Sequence, residues 1–316
     1  MTAPVLVELV RSDVVESVHR ASVVCLRPDG SVALSLGVVD APVFPRSSNK
    51  PLQAVGLLEA GWEPADEQVL ALATASHSGE QRHLEVVRRS LASTGLTEAA
   101  LQCPPLLPLS ERAAHALLAS GGVATALTMN CSGKHAAMLA TCVQRGWSVS
   151  DYLQPEHPVQ RAMTATIGRL AGEPVAHVAV DGCGAPQHAL TLTGLARAFA
   201  SLATGDGASA SVARAMRANA GLVGGVRRDV TDLHEGVPGL VCKDGAEGVY
   251  AAALPDGSAV AVKVADGATR AAVLVLVGGL RALGVEAPVL DRLASAPVLG
   301  GGVPVGVLQL TGPLAR

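Results

Sequence analysis

The stretch Arg46-Ser47-Ser48-Asn49-Lys50-Pro51-Leu52-Gln53-Ala54 sets two polar residues three apart, Ser47 and Lys50, at the entrance to an apolar run over residues 51–58. That run reads as a helix, with Ser47 at its N-cap or in its first turn and Lys50 on the same face. Proline is tolerated in a first helical turn, although it restricts the backbone of the lysine before it. A serine hydroxyl is a poor nucleophile until a base takes its proton. A desolvated lysine with a lowered pKa can do that, and a helix N-terminus favours negative charge developing nearby. Ser47 and Lys50 are therefore a candidate nucleophile and base. A capping serine followed by a solvated lysine is the plainer reading of so short a pattern, and the rest of the chain has to decide between them.

Upstream, residues 3–11 and 20–39 read as strands, with 22–26 and 31–36 flanking the turn Arg27-Pro28-Asp29-Gly30 as a hairpin. Downstream, the pattern is mostly helical to about residue 122, most clearly over 67–75 and 81–94, and helical again over 136–145 and 156–171. A short strand is expected at 176–180, and helices at 188–203 and 208–219. The tail returns to β character, with 248–254 and 258–264 around the turn Pro255-Asp256-Gly257, a helix over 268–283 and a last strand at 305–310. Strands at both ends with helices between predict an α/β protein of the α+β type. A central, mainly antiparallel sheet, fed by both terminal hairpins, would be covered by helices in a single domain over 1–316.

The composition narrows the function classes. With 316 residues and 49% hydrophobic content the chain can bury a sizeable core. A net charge of -3 carries no footprint of a nucleic-acid binder, and 2% aromatic residues leave no stacking platform for bases or sugars. The start, Met1-Thr2-Ala3-Pro4-Val5, lacks the basic-then-apolar pattern of a secretory signal, and the apolar run 271–280 is too short to span a bilayer. A soluble, cytoplasmic protein with no membrane or nucleic-acid partner is expected. The six scattered cysteines do not make a disulfide framework, and most read as small buried hydrophobes.

Four further polar clusters stand at element boundaries, where a rigid scaffold places its site residues. Asn130-Cys131-Ser132-Gly133-Lys134-His135 resembles a phosphate loop only superficially: Thr128 occupies the earlier glycine position, and His135 the Ser/Thr position that would hold magnesium. Cys131 and Lys134 lie one helical turn apart and face one point. A second cysteine, Cys183, sits in the glycine-rich turn Asp181-Gly182-Cys183-Gly184 after a strand. Two thiolates from separate loops can meet a borderline-soft ion such as zinc, although neither has a C-x-x-C partner. Ser76-His77-Ser78-Gly79-Glu80 offers a second hydroxyl, better matched to a lysine than to a triad made from loop neighbours. Lys243-Asp244-Gly245-Ala246-Glu247-Gly248, before the last hairpin, can place an ammonium beside a substrate.

Taken in order, these five motifs resemble the zinc-containing asparaginases of the Rhizobium etli inducible type, across nearly the whole chain. Val14-Val15-Glu16-Ser17-Val18-His19 and Lys263-Val264-Ala265-Asp266-Gly267 belong to the same resemblance. It implies a serine β-lactamase and glutaminase-like fold, hydrolysis of L-asparagine to L-aspartate and ammonia, and a homodimer. By motif, Ser47 and Lys50 would be nucleophile and base. Ser76 would pair with Lys243, whose Lys-x-Gly resembles the Lys-Thr-Gly element of β-lactamases, with Lys263 the lesser candidate. Arg46, His77, Asn130 and Asp181 would surround the substrate, Arg46 at its carboxylate and Asp181 at its ammonium. The zinc ligands would be Cys131, Lys134 and Cys183. The resemblance leaves open which serine is acylated. Two alternatives are another serine acyl hydrolase, of glutaminase or β-lactamase type, and a non-enzymatic zinc- or amino-acid-binding protein.

Overall fold

A computed structural model describes residues 3–315. The chain opens with β1 (Val5–Arg11), β2 (Val14–Leu26) and β3 (Val32–Leu36). A helical stretch follows: a 3₁₀ turn at Arg46–Asn49, then α1 (Lys50–Glu59), α2 (Glu67–Ala73), α3 (Gln81–Ala92), α4 (Glu111–Ala119), α5 (Ser132–Arg145) and α6 (Pro158–Ala171). The small hairpin β4 (His177–Val180) and β5 (Pro186–Ala189) leads to α7 (Leu192–Thr204), α8 (Gly207–Ala218), α9 (Ala220–Val223) and α10 (Asp229–Gly236). Strands β6 (Val241–Gly245), β7 (Val249–Ala253) and β8 (Ala259–Val264) come next, then α11 (Thr269–Ala282), α12 (Pro288–Leu293), β9 (Ser295–Gly300) and β10 (Val303–Leu310).

The large sheet runs β6-β7-β8-β2-β1-β10-β9, with β3 added on β2, and its pairings are all antiparallel. The expected architecture is present: a mainly antiparallel sheet that both chain ends build, through β2 with β8 and β1 with β10. Strand β2 shows why the two halves of the sheet differ. From Ala21 to Leu26 it is buried on both faces, where α7 and α11 pack against it, so the sequence reads as an unbroken apolar run. Its first half is largely exposed. Helix α1 is buried over Lys50–Leu57, which is why its sequence lacks a polar face.

Several boundaries differ from the sequence expectation. Residues 14–19, read as a motif outside the strands, are the first half of β2, because Ser12 and Asp13 turn the chain with positive φ and return it beside β1. Residues 188–189 belong to β5, not to a helix; β5 exists only by pairing with β4, a partner that local periodicity does not encode. Strands β6 and β9 and helices α10 and α12 were not anticipated. Helix α5 starts four residues earlier than expected, which makes Cys131 its N-cap and puts Lys134 in its first turn. The six cysteines are all free and buried, as the absence of a disulfide framework predicts. Among the described residues no helix is long and apolar enough to cross a membrane.

Candidate active site

The 3₁₀ turn Arg46–Asn49 runs directly into α1, so Lys50 is the first residue of the helix and points into the interior. Arg46 holds a left-handed backbone, φ 54°, that few non-glycine residues adopt. Its Nε donates to Asp181 Oδ1 at 2.8 Å, which ties this strained residue to the β4–β5 turn. Ser48 Oγ donates to the Lys243 carbonyl at 2.9 Å and Asn49 Nδ2 to that of His188 at 3.0 Å, so the turn is fastened to β6 and β5. Strand β6 can approach this closely because residue 245 lacks a side chain: a Cβ there would lie 2.5 Å from the Pro45 carbonyl oxygen and 3.0 Å from Ser48 Oγ. Gly245→Ala is therefore expected to cost about 1–3 kcal/mol by overpacking. A denaturation midpoint equal to that of the parent protein would contradict so tight an approach.

Ser76 lies between two buried lysines. Its Oγ accepts from Lys50 Nζ at 3.2 Å and from Lys243 Nζ at 3.0 Å. Lys50 also donates to the Ala75 carbonyl at 2.5 Å, and Lys243 to the Asp244 carbonyl at 2.9 Å while ion-paired with the Asp244 carboxylate. The expected Ser76–Lys243 pair is thus within hydrogen-bonding distance. The direct Ser47–Lys50 contact is not formed: among the described residues the Ser47 side chain makes no hydrogen bond, because the long arm of Lys50 reaches past it to the loop after α2. Lys263 bonds instead to the Glu247 carbonyl and does not line the cavity described below.

Burial pushes Lys243 down to about 8; the Asp244 charge opposes this and the Lys50 charge adds to it. Asp244 is held at about 2 because Lys243 and Arg228 outweigh its own burial. Arg228 Nη2 donates to Asp244 Oδ2 at 2.7 Å, and its Nη1 to the Ser76 carbonyl at 3.4 Å. Neither residue was singled out from sequence. Asp244 could have been, since it follows Lys243 directly; Arg228 stands in no motif.

The thiols form a second cluster beside the first. Close packing of α5 on α2 sets its position: a Cβ at Gly133 would lie 2.6 Å from the Leu72 carbonyl oxygen. Lys134 Nζ donates to Cys183 Sγ at 3.1 Å, and Cys131 Sγ to Asn130 Oδ1 at 3.1 Å. The Cys183 thiol titrates far below its ordinary range, chiefly through the neighbouring Cys131 thiol, with Lys134 and His135 adding to this against burial. Cys131 is driven up by the same pairing with Cys183 and by burial. For Lys134, burial pulls down, but Cys183, Cys131 and Asp181 outweigh it and keep the ammonium charged. His135, missed as a site residue, bonds Tyr152 Oη through Nδ1 at 2.7 Å. Its Nε2 is buried next to Cys183, with no partner in hydrogen-bonding geometry among the described residues.

Two sulfurs suit a borderline-soft cation, and Lys134 beside Cys183 would add a nitrogen donor once it is a neutral amine. Counting only His, Cys, Asp and Glu, no metal-holding group of three is found among the described residues, so the fit depends on Lys134.

His77 is not where a substrate ligand would be. It is fully buried, bonded through Nε2 to Ser132 Oγ at 2.9 Å, accepting from the Gly79 amide at Nδ1, and stacked on His83. Successive residues of this loop point in opposite directions, so Ser76 faces the cavity and His77 the core. That cavity is about 700 Å³ in volume. Arg46, Ser47, Ser76, Asn130, Asp181 and both cysteines line it, with Lys50, Lys134 and Lys243 just behind the wall. Arg228, Asp229, Asp244 and Arg270 complete its charged lining.

The sequence matches the L-asparaginase II family over residues 7–310. No curated protein matches it. Among solved structures it is similar to Mglu in its native form, with 15% identity, 81% of this chain and 62% of that chain covered, and a TM-score of 0.43. Mglu in its tris and glutamate form gives 15% identity, 86% and 60% coverage and a TM-score of 0.38. The chain spans about three fifths of the length of these solved chains.

Proposed function

The chain belongs to the L-asparaginase II family, and from that premise we propose that it is an L-asparagine amidohydrolase that releases L-aspartate and ammonia by Ser-Lys catalysis. The observation that carries the proposal is Ser76 Oγ held by two buried lysines, at 3.2 Å and 3.0 Å, beside the cavity that Ser47 lines. A binding protein has no use for two lysines on one hydroxyl. Each buried ammonium costs several kcal/mol to desolvate.

Ser47 is the more accessible serine and attacks the side-chain amide once its hydroxyl turns onto Lys50. Its proton passes to Lys50, which gives one to Ser76, which gives its own to neutral Lys243. One proton is thereby moved from Ser47 to Lys243. The tetrahedral oxyanion sits against backbone N–H groups of Ser47 and of Gly245–Ala246. When the C–N bond breaks, the relay runs backwards and protonates the departing ammonia; water then releases aspartate from the Ser47 ester. Asp181 faces the α-ammonium, and Arg46, anchored to Asp181 through Nε, keeps its terminal nitrogens for the α-carboxylate. Asn130 also lines the cavity. His77 acts from behind the wall, fixing the loop that carries Ser76.

Zinc belongs to the same proposal, with the Rhizobium etli inducible type as the subgroup. Cys131, Lys134 and Cys183 would hold it, and when bound it supplies a fixed positive charge beside the amino-acid head of the substrate. Lys134 must lose a proton to donate a lone pair, which the charge of the metal favours. Elemental analysis of the purified protein is expected to find zinc, and Cys183→Ser to lose most of it and raise KM. A metal-free parent protein, with KM unchanged in Cys183→Ser, would remove zinc from the reading. A homodimer working in the cytoplasm completes the proposal.

The decisive assay is ammonia release by the purified protein from L-asparagine and L-glutamine. Asparagine turnover supports the reading. Preference for glutamine moves the protein to another acyl hydrolase on this scaffold, and no turnover of either amide removes the reaction.

A further inference from the structure

Two motifs of the sequence have no role in the proposed mechanism, the one ending in His19 and the one containing Asp266. The fold brings them together beside Arg270, a residue that lines the cavity. His19, on β2, is buried, and its Nδ1 lies 2.6 Å from Asp266 Oδ2, in the turn between β8 and α11. Arg270 Nε donates to His19 Nε2 at 3.1 Å. A guanidinium only donates, so Nε2 is the acceptor and the hydrogen-bond network assigns the imidazole proton to Nδ1, donated to Asp266. Asp266 Oδ1 also accepts from the Ala268 amide at 3.0 Å, which sets the first turn of α11, where Arg270 stands.

Arg46, Arg228 and Arg270 line the cavity. Arg46 is ion-paired with Asp181 and Arg228 with Asp244. Arg270 has no acidic partner within salt-bridge distance among the described residues. Its contact is to a neutral imidazole through Nε, which leaves the terminal nitrogens free. A guanidinium steadied at one edge and open at the other suits a carboxylate, which it can hold by two parallel hydrogen bonds.

We propose that Arg270 binds a carboxylate of the substrate and that His19 and Asp266 position it for this. The inference rests on the amidohydrolase reading of the cavity and adds to it a second cation, from the α11 side, besides Arg46. It assigns a selective role to residues that would otherwise only tie β2 to the turn after β8.

The test compares L-asparagine with β-alaninamide, which is asparagine without its α-carboxylate, in the parent protein and in Arg270→Gln. Loss of a charge-assisted hydrogen bond should lower kcat/KM for asparagine about tenfold relative to β-alaninamide, mainly through KM. His19→Phe should raise KM for asparagine in the parent background and add little in the Arg270→Gln background, a coupling that a purely structural tie would not produce. Equal losses on both substrates, or none, would overturn the proposal. Calorimetric affinity for L-aspartate separates it from the reading it rests on. A parent protein that turns over no amide but binds aspartate, with binding weakened in Arg270→Gln, would end the amidohydrolase reading and keep the arginine's role. A parent protein that neither turns over an amide nor binds aspartate would end both.

Discussion

Replacing Ser47 by alanine is expected to lower ammonia release from L-asparagine by about 10⁴-fold or more, the scale on which loss of an attacking serine acts. Stability should hardly move. Among the described residues Ser47 makes no side-chain hydrogen bond, and its turn is fastened through Ser48, Asn49 and the Arg46–Asp181 pair instead. Folding free energy within about 0.5 kcal/mol of the parent protein would confirm that only chemistry is lost. Ser76→Ala should be slower than the parent by about 10²- to 10⁴-fold, as for removal of a proton-transfer group. It should still form an aspartyl ester on Ser47, which mass spectrometry of the quenched enzyme can locate. Near-normal turnover by Ser47→Ala, together with an inactive Ser76→Ala, would exchange the roles of the two serines. The chemistry makes that exchange easy to imagine, because Ser76 is the hydroxyl already bonded to both lysines.

Lys243→Met is the second large effect. The methionine fills much of the same buried volume without an amine, and the relay loses its terminal acceptor, so kcat/KM should fall by about 10²- to 10⁴-fold. The pH profile separates this from simple damage. Lys243 is pushed down to about 8, chiefly by burial. Its neutral form, the one that accepts a proton, therefore dominates above that pH and is lost below it. In the parent protein kcat/KM should rise with pH to a plateau above an apparent pKa near 8, and the residual activity of Lys243→Met should lack this limb. Asp244 holds the lysine's pKa up, so Asp244→Asn should move the limb to lower pH. A profile that is flat from pH 6 to pH 9 in the parent protein would mean that Lys243 does not accept the proton.

Much of this site could be read from the chain because its residues stand at element boundaries with local signals. Ser47 and Lys50 open a helix, Cys131 and Lys134 share one helical turn, and Cys183 lies in a glycine-rich turn after a strand. The terminal hairpins carried their own turn chemistry, and from them the antiparallel sheet could be predicted. Spacing along an element settles which side chains share a face, and turn residues settle where the chain reverses; both are short-range physics. Which serine Lys50 reaches was settled elsewhere, by the depth of α1 in the core and by the close approach of β6 to the Pro45 carbonyl at Gly245. The same approach joined Lys243 to Ser76 across 167 residues of sequence. Arg228 and Arg270 were visible only after folding, since a lone arginine has no periodicity to betray it, and so was the link from Arg270 through His19 to Asp266, although those two stand in motifs. His77 was lost for the converse reason: its neighbours marked a site, but the side its ring faces depended on packing against Ser132 and His83. Local sequence thus determined the elements and most of the chemical inventory, whereas the pairings and the direction of each charge were decided by contacts between residues far apart in the chain.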